Sequence, residues 1–226
     1  MTREIILDTE TTGLDRKEDR ICEIGCVEMV DRVLTGRTYH TYCNPLQPVN
    51  KEAYKIHGLS DVFLRTKPTF KRIHNRFLSF IEGAKLVAHN AAFDIPMIDA
   101  ELERLGIDPL ENEVIDTLAM ARQVHPRRRH TLDALCSLYN IDASRRSEHH
   151  GALVDSELLA QVYVELQGGL QHGMQLDLLG EEKEPEVQPA RPRPTPLPSR
   201  LTNEEIAAHR AFVETLGDKA IWREYV

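Results

Sequence analysis

A chain of 226 residues with 41% hydrophobic content is long enough for one core-forming domain plus a remainder. No apolar run reaches membrane-spanning length. A formal net charge of −8 with a pI near 5.7 excludes a protein that grips long duplex by charge alone, though not one that holds a nucleic-acid end through metal ions or receives it from a partner. Thr2-Arg3-Glu4 leads directly into a strand, which reads as a chain without a signal peptide and places it in the cytoplasm. Cys22, Cys26, Cys43 and Cys136 lack zinc or C-x-x-C spacing and sit among apolar or strand-like neighbours, so they read as reduced core thiols.

Ile5-Ile6-Leu7 is an apolar run that reads as a buried strand, with Gly13 marking the turn after it. Ile21 to Val30 reads as a long strand and Val33 to Cys43 as another, and the tight Asp31-Arg32 connection predicts a hairpin. The first three strands are thus expected to be consecutive and mostly antiparallel. Lys51 to Ile56 reads as a short helix stopped at Gly58. Pro68 to Ile81 carries Phe70, Ile73, Phe77, Phe80 and Ile81 at helical spacing. Lys85 to Ala88 is expected as a fourth strand, Ile95 to Leu105 as a helix with Pro96 in its first turn, and Asn112 to Ile115 as a fifth strand. Helices follow at 116–124, 131–139 and 152–167. This order predicts an α/β fold, a mixed sheet flanked by helices that ends near Gly168-Gly169.

Composition then shifts. Residues 180–199 hold an acidic run and six prolines, from Pro185 to Pro198, and such a segment reads as a flexible or semi-rigid linker. Thr202-x-x-Glu205 is a capping box that opens a helix toward Leu216. Ile206, Phe212, Trp222 and Tyr225 need an apolar partner, and the spacer favours docking on another protein over folding back.

Buried strands do not normally run into carboxylates, yet Asp8 and Glu10 follow Leu7 and share one face of the strand. They read either as solvated turn residues or as a pair that a hard divalent cation must hold together. Asp94 lies one turn before Ile98 on an apolar stripe, and reads either as a ligand or as the cap before Pro96. Asp155 stands one turn before Leu158 and Leu159, where a solvated reading fits poorly. Asp99, Asp116 and Asp133 fail the same test. His150 precedes Asp155 by five residues, about 140° away on a straight helix, so it is expected in the loop before the helix, with His149 as the alternative.

Asp8-x-Glu10, Asn90-x-x-x-Asp94 and His150-x-x-x-x-Asp155, in that order, resemble the DEDD exonuclease superfamily in its histidine-containing branch. Tyr54-Lys55-Ile56-His57-Gly58, residues 86–94 and Asp116-Thr117-Leu118-Ala119 continue the likeness over residues 3–167. The resemblance implies a ribonuclease H-like fold and a 3′–5′ exonuclease. It also implies two divalent ions (Mg²⁺ or Mn²⁺) on Asp8, Glu10, Asp94 and Asp155, with His150 as general base. By motif position Asp8, Thr9, Glu10, His57, His89, Asn90 and Phe93 would meet the terminal nucleotide of a DNA 3′ end, while Arg127-Arg128-Arg129 reads as a phosphate contact or a solvated loop.

Residues 204–209 resemble the C-terminal segment of the proofreading (epsilon) subunits of bacterial DNA polymerase III. In that family the segment binds the replicative polymerase (alpha) subunit. Gln175-Leu176-Asp177-Leu178-Leu179 resembles a short motif that docks on the sliding clamp. The expected organisation is an exonuclease domain over 1–170, a clamp motif and Pro-rich linker over 171–200, and a polymerase-binding tail over 201–226. A cytoplasmic RNA 3′ exonuclease of the same superfamily is the nearest alternative, and a non-catalytic scaffold bridging polymerase and clamp is the one from another class.

Overall fold

The three apolar residues at the start of the chain lie at the centre of the sheet. In a computed structural model that describes residues 2–146, 150–168 and 201–216, Ile5, Ile6 and Leu7 are all fully buried in strand β1 (Arg3–Thr11). Each such side chain contributes about 2 kcal/mol by leaving water. β2 (Ile21–Val30) and β3 (Val33–Tyr42) follow as the expected antiparallel hairpin. Asp31 and Arg32 both adopt positive φ (48° and 68°), the backbone that a two-residue hairpin turn requires.

After the hairpin come α1 (Lys51–His57), capped by Gly58 at φ 69°, then α2 (Asp61–Arg65) and α3 (Phe70–Ile81). At five residues, α2 is too short to show a period, and no sequence expectation covers it. β4 (Lys85–Ala88) pairs parallel with β1, and β5 (Val114–Asp116) parallel with β4, giving the strand order β3-β2-β1-β4-β5. β5 starts two residues later than expected, and the Asn112 side chain just before it donates to the carbonyls of Ile81 and Ala84. α5 (Thr117–Val124), α6 (Leu132–Leu138) and α7 (Ala152–Leu166) complete the fold.

α4 (Ala91–Glu103) corrects the sequence reading. It begins four residues earlier than Ile95, because Asn90 adopts a left-handed conformation (φ 70°) that turns β4 straight into the helix. Asp94 is therefore the fourth helical residue and not the cap before Pro96, and Pro96 lies inside the helix, beyond its first turn.

Strand alternation sorts β1 between two cores. Ile5 and Leu7 pack with Phe77, Ile98 and Leu102 of α3 and α4, whereas Ile6 packs with Leu159, Val162 and Tyr163 of α7. Glu4 is on the α7 face as well, accepting a 2.8 Å bond from the Tyr163 hydroxyl. Asp8 and Glu10 continue that face toward the start of α7.

Gly25, opposite Asp8 on β2, lets that helix start come close. A Cβ there would lie 2.2 Å from the Ala152 carbonyl carbon and from the Leu153 nitrogen. The Ser156 hydroxyl donates to the Gly25 carbonyl at 2.9 Å, which fixes the first turns of α7 on the sheet. On the other side Arg20 grips Glu101 of α4 through two bonds of 2.6 and 2.8 Å.

The chain divides into two compact units, Met1–Leu176 and Asp177–Val226. In the second, α8 (Asn203–Thr215) opens with the expected capping box between Thr202 and Glu205. His149, the motif at 175–179, the proline-rich segment, Trp222 and Tyr225 lie outside the described residues.

Because backbone atoms fill the space beside Gly25, Gly25→Ala is expected to lower stability by about 2 kcal/mol or more, measured as a fall in melting temperature. Ala at Gly36, where nothing lies within 4 Å but φ is +81°, serves as the comparison and should cost about 1 kcal/mol. Equal losses at the two sites would refute the close approach of α7.

Candidate active site

Three elements meet at the carboxyl ends of β1 and β4. Asp8 and Glu10 come from the end of β1, and Asp155, the fourth residue of α7, comes from the helix that packs on that face. Asp94 comes from α4 on the opposite layer. Its Oδ1 accepts from the Thr9 amide at 3.0 Å and from the Thr9 hydroxyl at 2.6 Å. Thr9 points to the α4 side because it alternates with Asp8 and Glu10. Asp94 and Asp155 are each 3% exposed.

All four carboxylates, with Thr9, His89, Asn90, Phe93 and His150, line one cleft of about 680 Å³. A larger concavity of about 790 Å³, between α3 and the segment before β5, holds none of the predicted site residues. Oxygens of Glu10 and Asp155 and a ring nitrogen of His150 lie within 4.8 Å of one another, a spacing that a single cation could span.

Burial pushes the Asp8 carboxyl well above its ordinary range, and Asp94, Glu10 and Asp155 push it further. Glu10 rises to about 8, through burial first and then the charges of Asp155, Glu23 and Asp94. Asp94 rises to about 7 through burial, against the lowering effect of its bonds from Thr9. Glu23 faces Glu10 across the β1–β2 ladder and is held by His40 Nε2 at 2.7 Å.

His150 is half-exposed just before α7, tied by its amide to the Ile56 carbonyl at 3.1 Å, and its Nδ1 is 3.6 Å from Asp155 Oδ2. His89 lines the cleft with both ring nitrogens engaged: Nε2 donates to the His130 carbonyl at 2.7 Å, and Nδ1 pairs with the Thr117 hydroxyl at 2.9 Å. Burial lowers its pKa, which favours the neutral ring. The exposed Asn90 donates its backbone N–H to Asp116 Oδ1. His57 is not in the cleft lining. It is buried, its Nε2 bonding the Thr11 carbonyl at 3.2 Å and its Nδ1 accepting from the Leu59 amide at 3.0 Å. Arg127, Arg128 and Arg129 are exposed and outside the lining, where Arg122 is found instead.

Among the residues set aside on pattern grounds, Asp99 accepts from the Leu110 amide and Asp116 caps α5. Asp133 pairs with Arg146, a residue absent from the sequence expectations. Arg146 makes two bonds to Asp155 at 2.7 and 2.9 Å and one to His150 Nδ1 at 2.9 Å. Its position four residues before His150, on the approach to an acidic helix start, is the only sequence signal it offers.

A mixed sheet flanked by helices, with acidic side chains from a strand end and two helix starts around one cleft, defines a ribonuclease H-like nuclease. The family model described as Exonuclease matches residues 5–163. Exonuclease X in complex with 5′-overhanging duplex DNA shares the fold, with a TM-score of 0.59 at 24% identity, over 73% of this chain and 91% of that one. Exonuclease I gives a TM-score of 0.65 at 18% identity, over 74% of this chain and 40% of that one.

The DNA polymerase III subunit epsilon of Escherichia coli (strain K12) is 43% identical over 240 aligned positions, spanning 99% of this chain and 98% of that protein. The corresponding subunit of Rickettsia prowazekii (strain Madrid E) is 54% identical over 174, spanning 75% and 76%. The chain belongs to the exonuclease family and, within it, to the DNA polymerase III epsilon subunits; it is a metal-dependent 3′–5′ exonuclease. Among the described residues no helix is long and apolar enough to cross a membrane.

Glu10 and Asp94 hold protons in the folded, metal-free chain at pH values where the unfolded chain has released them. Their folded pKa values are raised, so stability is full below about pH 4 and is lost as the pH climbs toward 8. In chelator, Glu10→Gln should therefore match the parent near pH 4 and exceed it by at least about 1 kcal/mol at pH 8.5. Parallel melting-temperature profiles would contradict the raised Glu10 pKa.

Proposed function

We propose that this chain proofreads for a replicative DNA polymerase. It takes the frayed 3′ end of the growing DNA strand and hydrolyses its last phosphodiester, releasing a nucleoside 5′-monophosphate. What carries this reading is the convergence of Asp8, Glu10, Asp94, Asp155 and His150 on one cleft, in a member of the epsilon family.

In this reading the four carboxylates hold two divalent cations, Mg²⁺ or Mn²⁺. The donor set fits hard cations, being rich in oxygen and, among the described residues, paired with no lysine or arginine but Arg146. Bound cations would neutralise the carboxylates and stabilise charge on the reacting phosphate. His150 accepts the proton of the attacking water. Thr9 keeps Asp94 oriented through two bonds. Phe93 and Asn90 present a face and an edge to the terminal nucleotide, whereas His89, with both nitrogens taken, shapes the wall beside it. His57 acts from behind, fixing the backbone that follows the Asp8–Glu10 strand end. A mispaired end costs less to splay into the cleft than a paired one, so discrimination needs no reading of base edges.

Residues 1–170 form the exonuclease domain, 171–200 carry the clamp motif Gln175–Leu179 and the linker, and 201–226 form the polymerase-binding tail. In α8 Phe212 is 61% exposed, which supports an apolar partner for Ile206, Phe212, Trp222 and Tyr225. Pairing with a chromosomal polymerase puts the protein in the cytoplasm of a bacterium.

Asp8→Ala is expected to lower exonuclease turnover on single-stranded DNA by about 10³-fold or more with the fold retained, and His150→Ala to lose far more activity than His149→Ala. Near-parental turnover in Asp8→Ala, or equal losses at the two histidines, would overturn the assignments. In pull-down, the full chain should retain the polymerase subunit while a chain ending near Gly180 loses it and keeps its nuclease activity. Equal capture would refute the tail assignment.

A further inference from the structure

Arg146 occupies a place that the proposed chemistry needs for something else. Its guanidinium lies fork to fork on Asp155, with Nε 2.7 Å from Oδ1 and Nη2 2.9 Å from Oδ2. Nη1 reaches Asp133, and Nη2 also approaches His150 Nδ1 at 2.9 Å. The side chain is only 10% exposed. Among the described residues it is the one lysine or arginine paired with any of the four carboxylates. Burial works against its charge, but the bonds and charges of Asp155 and Asp133 outweigh that and raise its pKa.

We propose that Arg146 is a place-holding cation. In the metal-free chain it engages both oxygens of Asp155, and it gives them up when a divalent ion binds there. The inference rests on the reading of Asp155 as a metal ligand. The fork takes the lone pair of each oxygen that faces it, so a metal approaching Asp155 from that same side, or chelating both oxygens, displaces at least one N–H···O bond. Guanidinium and metal therefore compete for one carboxylate, and each weakens the other's hold by the same factor.

The arrangement does two things for the enzyme. It supplies positive charge to a cleft whose acidic groups otherwise repel one another, so the fold survives without metal. It also ties the release of His150 to metal entry. An arginine N–H can only donate, so His150 Nδ1 must offer its lone pair to Arg146 and cannot offer it to water. Once Arg146 leaves Asp155, that lone pair is available at the site where the ions now sit. The freed guanidinium remains among the cleft-lining groups, where a phosphate can take it.

The test uses the full chain and a titration of Mn²⁺ alone, followed by calorimetry, with melting temperatures in chelator and in saturating Mn²⁺. Arg146→Gln is expected to bind Mn²⁺ about fivefold more tightly or better. It should also lose melting temperature in chelator but little in Mn²⁺, so the metal-induced rise widens. Arg146→Lys keeps the charge but not the fork and should fall between, which covers the case in which the glutamine variant fails to fold. Unchanged or weaker Mn²⁺ binding, or an equal fall in melting temperature with and without metal, would show Arg146 to be a structural clamp and overturn the proposal. Asp155→Asn separates the two levels: unchanged Mn²⁺ affinity in that variant would overturn the ligand assignment itself, whereas unchanged affinity in the Arg146 variants alone overturns only the place-holder.

Discussion

Negative charge brought together out of water is the constraint on which the rest of this structure depends. Burial raises the protonation of Asp8, Glu10 and Asp94, and the carboxylates around them, Asp155 among these, raise that of Asp8 and Glu10 further. Left without cations, such a cluster either takes up protons or costs stability. The fold tolerates it because Ile5, Ile6 and Leu7, immediately before, are anchored in two separate cores. Apolar burial at one end of β1 thus offsets charge burial at the other.

The sheet order explains why a short strand can gather ligands from distant parts of the chain. β1 has an antiparallel neighbour on one side and a parallel neighbour on the other, so the helices that follow β4 and cover β2 both reach its carboxyl end. Period-two alternation sends Asp8 and Glu10 toward α7 and Thr9 toward α4, where Thr9 holds Asp94. Gly25 removes the side chain that would keep α7 from the sheet at this point. A ligand set assembled in this way is sensitive to helix placement, and the grip of Arg20 on Glu101 and the bond from Ser156 to Gly25 are the fastenings.

Local pattern carried much of this before any coordinates. Alternation and the two-residue turn made β1, β2 and β3 legible, and the stripes through Ile98 and Leu158 pointed Asp94 and Asp155 inward. The start of α4 was hidden because Pro96 marks a first turn on statistical grounds, while the true start depends on the left-handed Asn90, which has no period to read. α2 is too brief for periodicity. His57 shares a motif with cleft residues, but its ring serves backbone groups at Thr11 and Leu59. Arg146 could not be found from pattern, because its partners Asp133 and Asp155 lie 13 and 9 residues away on two different helices.

The central claim is that these carboxylates share bound cations, and locating the ions tests it most directly. Anomalous diffraction from a crystal of the full chain grown with Mn²⁺ and a nucleoside 5′-monophosphate should show two peaks in the cleft, among Asp8, Glu10, Asp94 and Asp155. A cleft without anomalous density, or Mn²⁺ found only on surface carboxylates, would contradict the account.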